Sequence, residues 1–112
     1  MLKFARKTQQ FTRDQKLLFY GALSHELTVF IRIIHSEHEM LEEHKLQKIG
    51  TVNRLLHATS GQICSLLAGK AWTEEDSEHD FNHWTSLLVD DDDESYLKGS
   101  IKRALKKAKS LK

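Results

Sequence analysis

The sequence predicts an all-α protein: a four-helix up-down bundle, or a close variant, built on a long antiparallel helical hairpin. Three observations carry this. The 112 residues contain no proline and only five glycines, and proline inside a helix costs about 3 kcal/mol. From Thr12 to Gly69 apolar residues recur at helical spacing with few turn signals. No segment alternates polar and apolar residues with β-branched enrichment, as a half-buried strand would.

The elements follow in order. Residues 1–11 read as a basic, partly frayed lead-in to a single domain spanning 1–112. Thr12-Arg13-Asp14-Gln15 is a capping-box pattern, so a helix starts there. Its inward stripe is Tyr20, Leu23, Leu27, Phe30 and Ile34, widened by Phe19, Ile31 and Ile33. The polar segment His35–His44 holds the turn. A second helix follows with Ile49, Val52, Leu56, Thr59, Ile63 and Leu66 inward. Gly50 and Gly61 inside it suggest close helix contact, and Gly69 suits a left-handed stop.

Thr73 caps a third helix whose first turn is acidic and whose apolar side is Phe81, Trp84 and Leu88. Asp90–Glu94 reads as an acidic loop running into a fourth helix, with Leu97, Ile101, Ala104, Leu105 and Ala108 inward.

No stretch approaches the ~18 consecutive apolar residues that read as a membrane span. The basic residues Lys3, Arg6 and Lys7 lack the apolar run of a secretory signal. Cys64 has no intrachain partner. The expected compartment is therefore the reducing cytoplasm. Cys64 lies in an apolar run, so a buried structural thiol is expected there.

The net charge of +1 hides segregation. Residues 1–16 carry five Lys/Arg and one Asp, residues 98–112 carry seven Lys/Arg and no acid, and residues 17–97 carry five basic and fifteen acidic residues. If the termini lie together they form one basic patch, and the middle forms an acidic surface.

Three constellations carry possible chemistry. Leu23-Ser24-His25-Glu26-Leu27 resembles the phosphoacceptor box of sensor histidine kinases, within residues 17–69. The resemblance implies His25 as phosphoacceptor and Glu26 as its acidic neighbour in a phosphotransfer module. The family's usual Arg-Thr-Pro-Leu continuation is replaced by Thr28-Val29-Phe30-Ile31. Asp76, His79, Asp80 and His83 share one helical face and offer an alternative metal site, although no cofactor is expected. Arg32 and His38 are similar in spacing to the arginine–histidine pair of small helical nucleases of the HEPN type. That resemblance implies metal-independent RNA cleavage by acid–base work and phosphate stabilisation.

The expected function is non-enzymatic protein–protein binding. The sharper form is an acidic inhibitor or immunity-type protein for a basic partner. The contact residues expected are Glu39, Glu42, Glu43, Asp90, Asp91, Asp92, Asp93 and Glu94, because clustered acids steer association with a basic partner. A nucleic-acid partner is the lesser expectation, through Lys98, Lys102, Lys106 and Lys109 near one face of the last helix, joined by Arg103, Lys107 and Lys112.

Overall fold

A computed structural model describes residues 2–69, 73–88 and 90–111. The side chain of Asp91 lies outside that description. The chain is 80% helix, with no strand among the described residues. The elements are α1 (Ala5–Thr8), α2 (Arg13–His35), α3 (Glu42–Ala68), α4 (Glu74–Thr85) and α5 (Asp91–Lys109). The long helices α2, α3 and α5 pack antiparallel, consistent with an up-down bundle.

Helix α2 is the axis of the molecule, with its main contacts to α3 and α5. Its start is fixed by the expected capping box. Thr12 Oγ1 accepts from the Gln15 amide at 3.2 Å, and Gln15 Oε1 accepts from the Thr12 amide at 2.9 Å. Its buried positions are Phe19, Tyr20, Leu23, Leu27, Phe30 and Ile34. The 3-4 spacing keeps these six on one broad face that serves both neighbours.

The expectation that no stretch could span a bilayer needs correction. Helix α2 has 23 residues and an 18-residue window of mean hydropathy 1.4. Length and composition suffice for a span, because Ile, Leu, Val and Phe also fill the flanks of its buried face. In this fold the helix packs between α3 and α5, as the core helix of a bundle does.

Helix α3 runs back along α2. Its deepest residues are Val52, Leu55, Thr59, Gln62 and Leu66, while Ile49, Leu56 and Ile63 are half-buried beside them. The expected stripe is therefore turned towards Leu55 and Gln62. The turn meets polar demand in the core: Gln62 reaches the buried Tyr20 hydroxyl, and Thr59 Oγ1 lies 2.9 Å from Ser24 Oγ. Gly50 and Gly61 do not mediate close packing, since a Cβ at either would meet nothing within 4 Å. Cys64 is exposed, contrary to expectation. The same rotation places it on the solvent side. Gly69 ends the helix at φ 73°, where an L side chain is strained. Arg13 Nε satisfies the Leu66 carbonyl at 3.1 Å and ties the start of α2 to the end of α3.

Residues 2–8 are not a frayed lead-in. Leu2, Phe4, Ala5 and Thr8 are buried. The Phe4 ring stands 5.4 Å from Phe19 of α2 and 5.9 Å, edge-on, from Phe81 of α4. Three residues spaced by four on α4 hold this segment. Asn82 brackets the Leu2 backbone, accepting from its amide at 2.9 Å and donating to its carbonyl at 2.8 Å. Glu78 Oε2 accepts from the Phe4 and Ala5 amides at 2.8 and 2.6 Å, satisfying orphan donors at the start of α1. Glu74 Oε2 accepts from Thr8 Oγ1 at 2.9 Å.

Helix α5 buries Leu97, Ser100, Ile101, Ala104, Leu105 and Ala108. The small residues let it lie close to α2. Tyr96 stacks on Phe30 with centroids 4.4 Å apart. Gln15 Nε2 donates to the Leu111 carbonyl at 3.1 Å, so the end of α5 meets the start of α2.

Candidate partner-binding surface

The turn between α2 and α3 and the start of α5 meet at one end of the bundle. A hollow of about 380 Å³ lies between them, with Ile33, Ile34 and Met40 on its apolar side and Glu37, Glu39 and Asp92 among its acids. The two acidic clusters, 47 positions apart in sequence from Glu43 to Asp90, thus form one acidic end.

Asp90–Glu94 is not a loop. Asp90 is the N-cap residue and the rest form the first turn of α5. Carboxylates there complement the partial positive charge of the helix start. Lys48, from α3, lies under this turn with its ammonium 2.5 Å from Asp90 Oδ2 and 2.9 Å from Asp93 Oδ2. The Asp93 contact is a charge contact without the alignment of a hydrogen bond. Burial pushes the Lys48 amine down, but both aspartates outweigh it and hold its pKa above the usual value. Lys48 holds Asp90 below the ordinary carboxylate range, by its hydrogen bond first and its charge second.

The eight expected contact residues therefore divide. Asp93 is buried, and with Asp90 it holds α3 to α5. Glu94 is half-buried and lies 3.8 Å from Lys98. Asp91 opens α5, and its side chain lies outside the described residues. Glu39, Glu42, Glu43 and Asp92 are exposed, as is Glu37. Among the described residues these five have no ion pair. Sequence spacing cannot separate Asp93 from Asp92, because only the arrival of Lys48 does so.

Exposed apolar side chains gather at the same end. Of six large hydrophobic residues exposed among the described residues, Ile33, Leu41, Leu46 and Leu87 are four. Ile33, expected on the inward stripe of α2, is exposed at its edge and borders the acidic hollow. Leu87 borders a neighbouring one with His44, Gln47 and Asp90. Sequence reading missed this apolar component, since Leu41 and Leu46 look like ordinary helix-forming residues until their faces are known.

The remaining candidates are placed as follows. His25 is exposed midway along α2. Its neighbour Glu26 turns away to Arg103 of α5, with Oε1 2.5 Å from Nη2 and 2.6 Å from Nε. Arg32 and His38 are both exposed, at the end of α2 and in the following turn. Asp76, His79 and His83 are exposed and Asp80 is half-buried. Among the described residues no group of three or more His, Cys, Asp or Glu side chains could hold a metal ion. Spacings of three and four give a shared face, but a shared face does not by itself bring three ligands to one point; His57 of α3 lines a hollow with Asp80 alone of the four.

A buried polar cluster went unread in the sequence. Tyr20 donates to Glu74 Oε2 at 2.5 Å and lies 3.0 Å from Ser77 Oγ. Lys16 Nζ stands 3.5 Å from Glu74 Oε1. Burial, and then the bond to Glu74, push the Tyr20 phenol far above its ordinary pKa. The cluster joins α1, α2 and α4 with its polar atoms satisfied, which is what a structural tie requires.

Comparison of the chain with protein-family models, curated proteins and solved structures finds no match.

Proposed function

We propose that the chain acts by binding a basic partner protein through its acidic end, as an inhibitor or immunity-type protein does. One observation carries the reading. Five carboxylates without ion pairs (Glu37, Glu39, Glu42, Glu43 and Asp92) sit beside four exposed large apolar side chains at one end of the bundle. Apolar side chains supply binding energy where water is excluded, and surrounding charges steer encounter. A solvated helix end needs only the charges.

The test combines capture with kinetics. Affinity purification from the source cell at low and moderate salt supplies the partner. Its association rate is then measured against a variant with Glu39→Gln, Glu42→Gln, Glu43→Gln and Asp92→Asn. The rate should fall by about tenfold or more at low salt, and the difference should shrink as salt screens the charges. Leu41→Ser with Leu46→Ser should speed dissociation instead. An unchanged association rate in the acidic variant sinks the proposal.

The exposure of His25 supports a second reading, phosphotransfer at that ring. His25→Gln should then abolish labelling by a phosphorylated donor protein while the fold stays intact. Labelling that survives the substitution removes this reading.

A further inference from the structure

We propose that the groove between residues 2–8 and α5 binds the phosphate backbone of a single-stranded nucleic acid. The groove holds about 510 Å³. Lys3 and Lys7 stand on one wall and Lys98 and Lys102 on the other, with Ser95 and Gly99 keeping the α5 wall low. The two basic ends of the chain thus meet on one surface. Lys106 and Lys109 continue the stripe along α5.

These charges are left uncommitted. Elsewhere Lys16, Lys48 and Arg103 have carboxylate partners. Lys98 keeps one exposed contact with Glu94 at 3.8 Å. Among the described residues Lys3, Lys7, Lys102, Lys106 and Lys109 have no ion pair. Folding brings like charges from residues 3–7 and 98–102 around one groove, where they repel until an anion enters.

The shape selects among anions. A bilayer is flat, whereas this surface is concave. The apolar residues of the groove, Leu2, Ile101 and Leu105, are buried beneath the lysines, so none rises to enter lipid. An acidic protein would gain from directional hydrogen bonds. The walls offer lysines, which act as point charges and meet phosphates without demanding one geometry. A stiff duplex would run onto the acidic first turn of α5, one turn before Lys98, whereas a flexible strand can turn away. From Lys98 to Lys109 the helix rises about 16 Å, room for a few nucleotides. No aromatic residue lines the groove for base stacking. Binding should therefore be weak, indifferent to sequence and strongly salt-dependent.

The test is fluorescence anisotropy of a labelled oligothymidylate titrated with the full chain at two salt concentrations. Four phosphate contacts at about −0.7 each predict affinity about 50-fold weaker at about 200 mM salt than at about 50 mM. Lys3→Gln with Lys7→Gln, or Lys98→Gln with Lys102→Gln, should each halve the salt slope while the circular dichroism spectrum stays unchanged. Arg54→Gln, at an exposed cation on α3 outside the groove, should leave binding as it was. No anisotropy change at about 50 mM salt, or an equal loss from Arg54→Gln, overturns the proposal. So does tighter binding to polyglutamate or to phosphatidylserine vesicles, which would assign the groove to another class of partner.

Discussion

Two sets of carboxylates in this chain behave in opposite ways. On α4, Glu74 and Glu78 face inward and accept hydrogen bonds from Thr8, Tyr20 and the amides of Phe4 and Ala5. At the other set's position, Glu37, Glu39, Glu42, Glu43 and Asp92 face water. Both sets belong to the same acidic middle of the sequence. What separates them is whether another element brings donors within reach. The α4 acids fasten the N-terminal segment to the bundle, and the end acids are left for something outside it.

The largest expected effects lie at the α4 seam. Phe4→Ala should lower stability by about 3–5 kcal/mol, because the ring is buried between Phe19 and Phe81. Urea unfolding measures this. A loss of only a few tenths would mean that residues 2–8 lie outside the cooperative fold. Glu74→Ala should cost about 1–3 kcal/mol, since the buried Tyr20 hydroxyl loses its shortest acceptor and keeps only Ser77 Oγ at 3.0 Å, while Thr8 falls back on the Phe4 and Ala5 carbonyls. Glu78→Ala should cost about 1–2 kcal/mol, because only the half-buried amides of the α1 start lose their cap.

Smaller effects sharpen the other side of the contrast. Gly50→Ala should raise stability by up to about 1 kcal/mol, since its Cβ enters open space and helix propensity improves. The Lys48–Asp90 contact should show a two-sided pH dependence. Lys48 is raised from 10.5, so its contribution is complete below that pH and fades as pH rises through the folded value. Asp90 is lowered from 3.8, so its contribution is complete above that pH and fades as pH falls through the folded value. The stability difference between wild type and Lys48→Met should therefore stay level from about pH 5 to pH 9 and shrink outside that range. A slope near neutrality would assign the contact to another titrating group.

The sequence showed the long elements well and their mutual reach poorly. The Thr12–Gln15 box, the α2 stripe, the Thr73 cap and the Gly69 stop are local signals, each complete within a few residues. The burial of Leu2 and Phe4 is not local. Their partners on α4 lie more than seventy residues away, and a short basic segment shows no period of its own. On α3 apolar residues occur at both 55 and 56, so periodicity alone could not choose between them. In the fold Leu55 and Gln62 face inward, and Leu56 is half-buried. Leu55→Ala should accordingly cost more than Leu56→Ala. At the candidate surface the acids were legible as clusters. Their meeting at one end, the adjoining Leu41 and Leu46, and the withdrawal of Asp93 by Lys48 all depend on how α3 and α5 lie against α2.

The division between fastening and free carboxylates is tested most directly by comparing two multiple variants in one urea-unfolding experiment. One carries Glu74→Gln and Glu78→Gln; the other carries Glu39→Gln, Glu42→Gln, Glu43→Gln and Asp92→Asn. The first should lose about 2 kcal/mol or more, although it removes fewer charges. The second should stay within about 0.5 kcal/mol of wild type. Equal losses, or a larger loss in the second, would show that the end carboxylates help to hold the fold and would contradict the account.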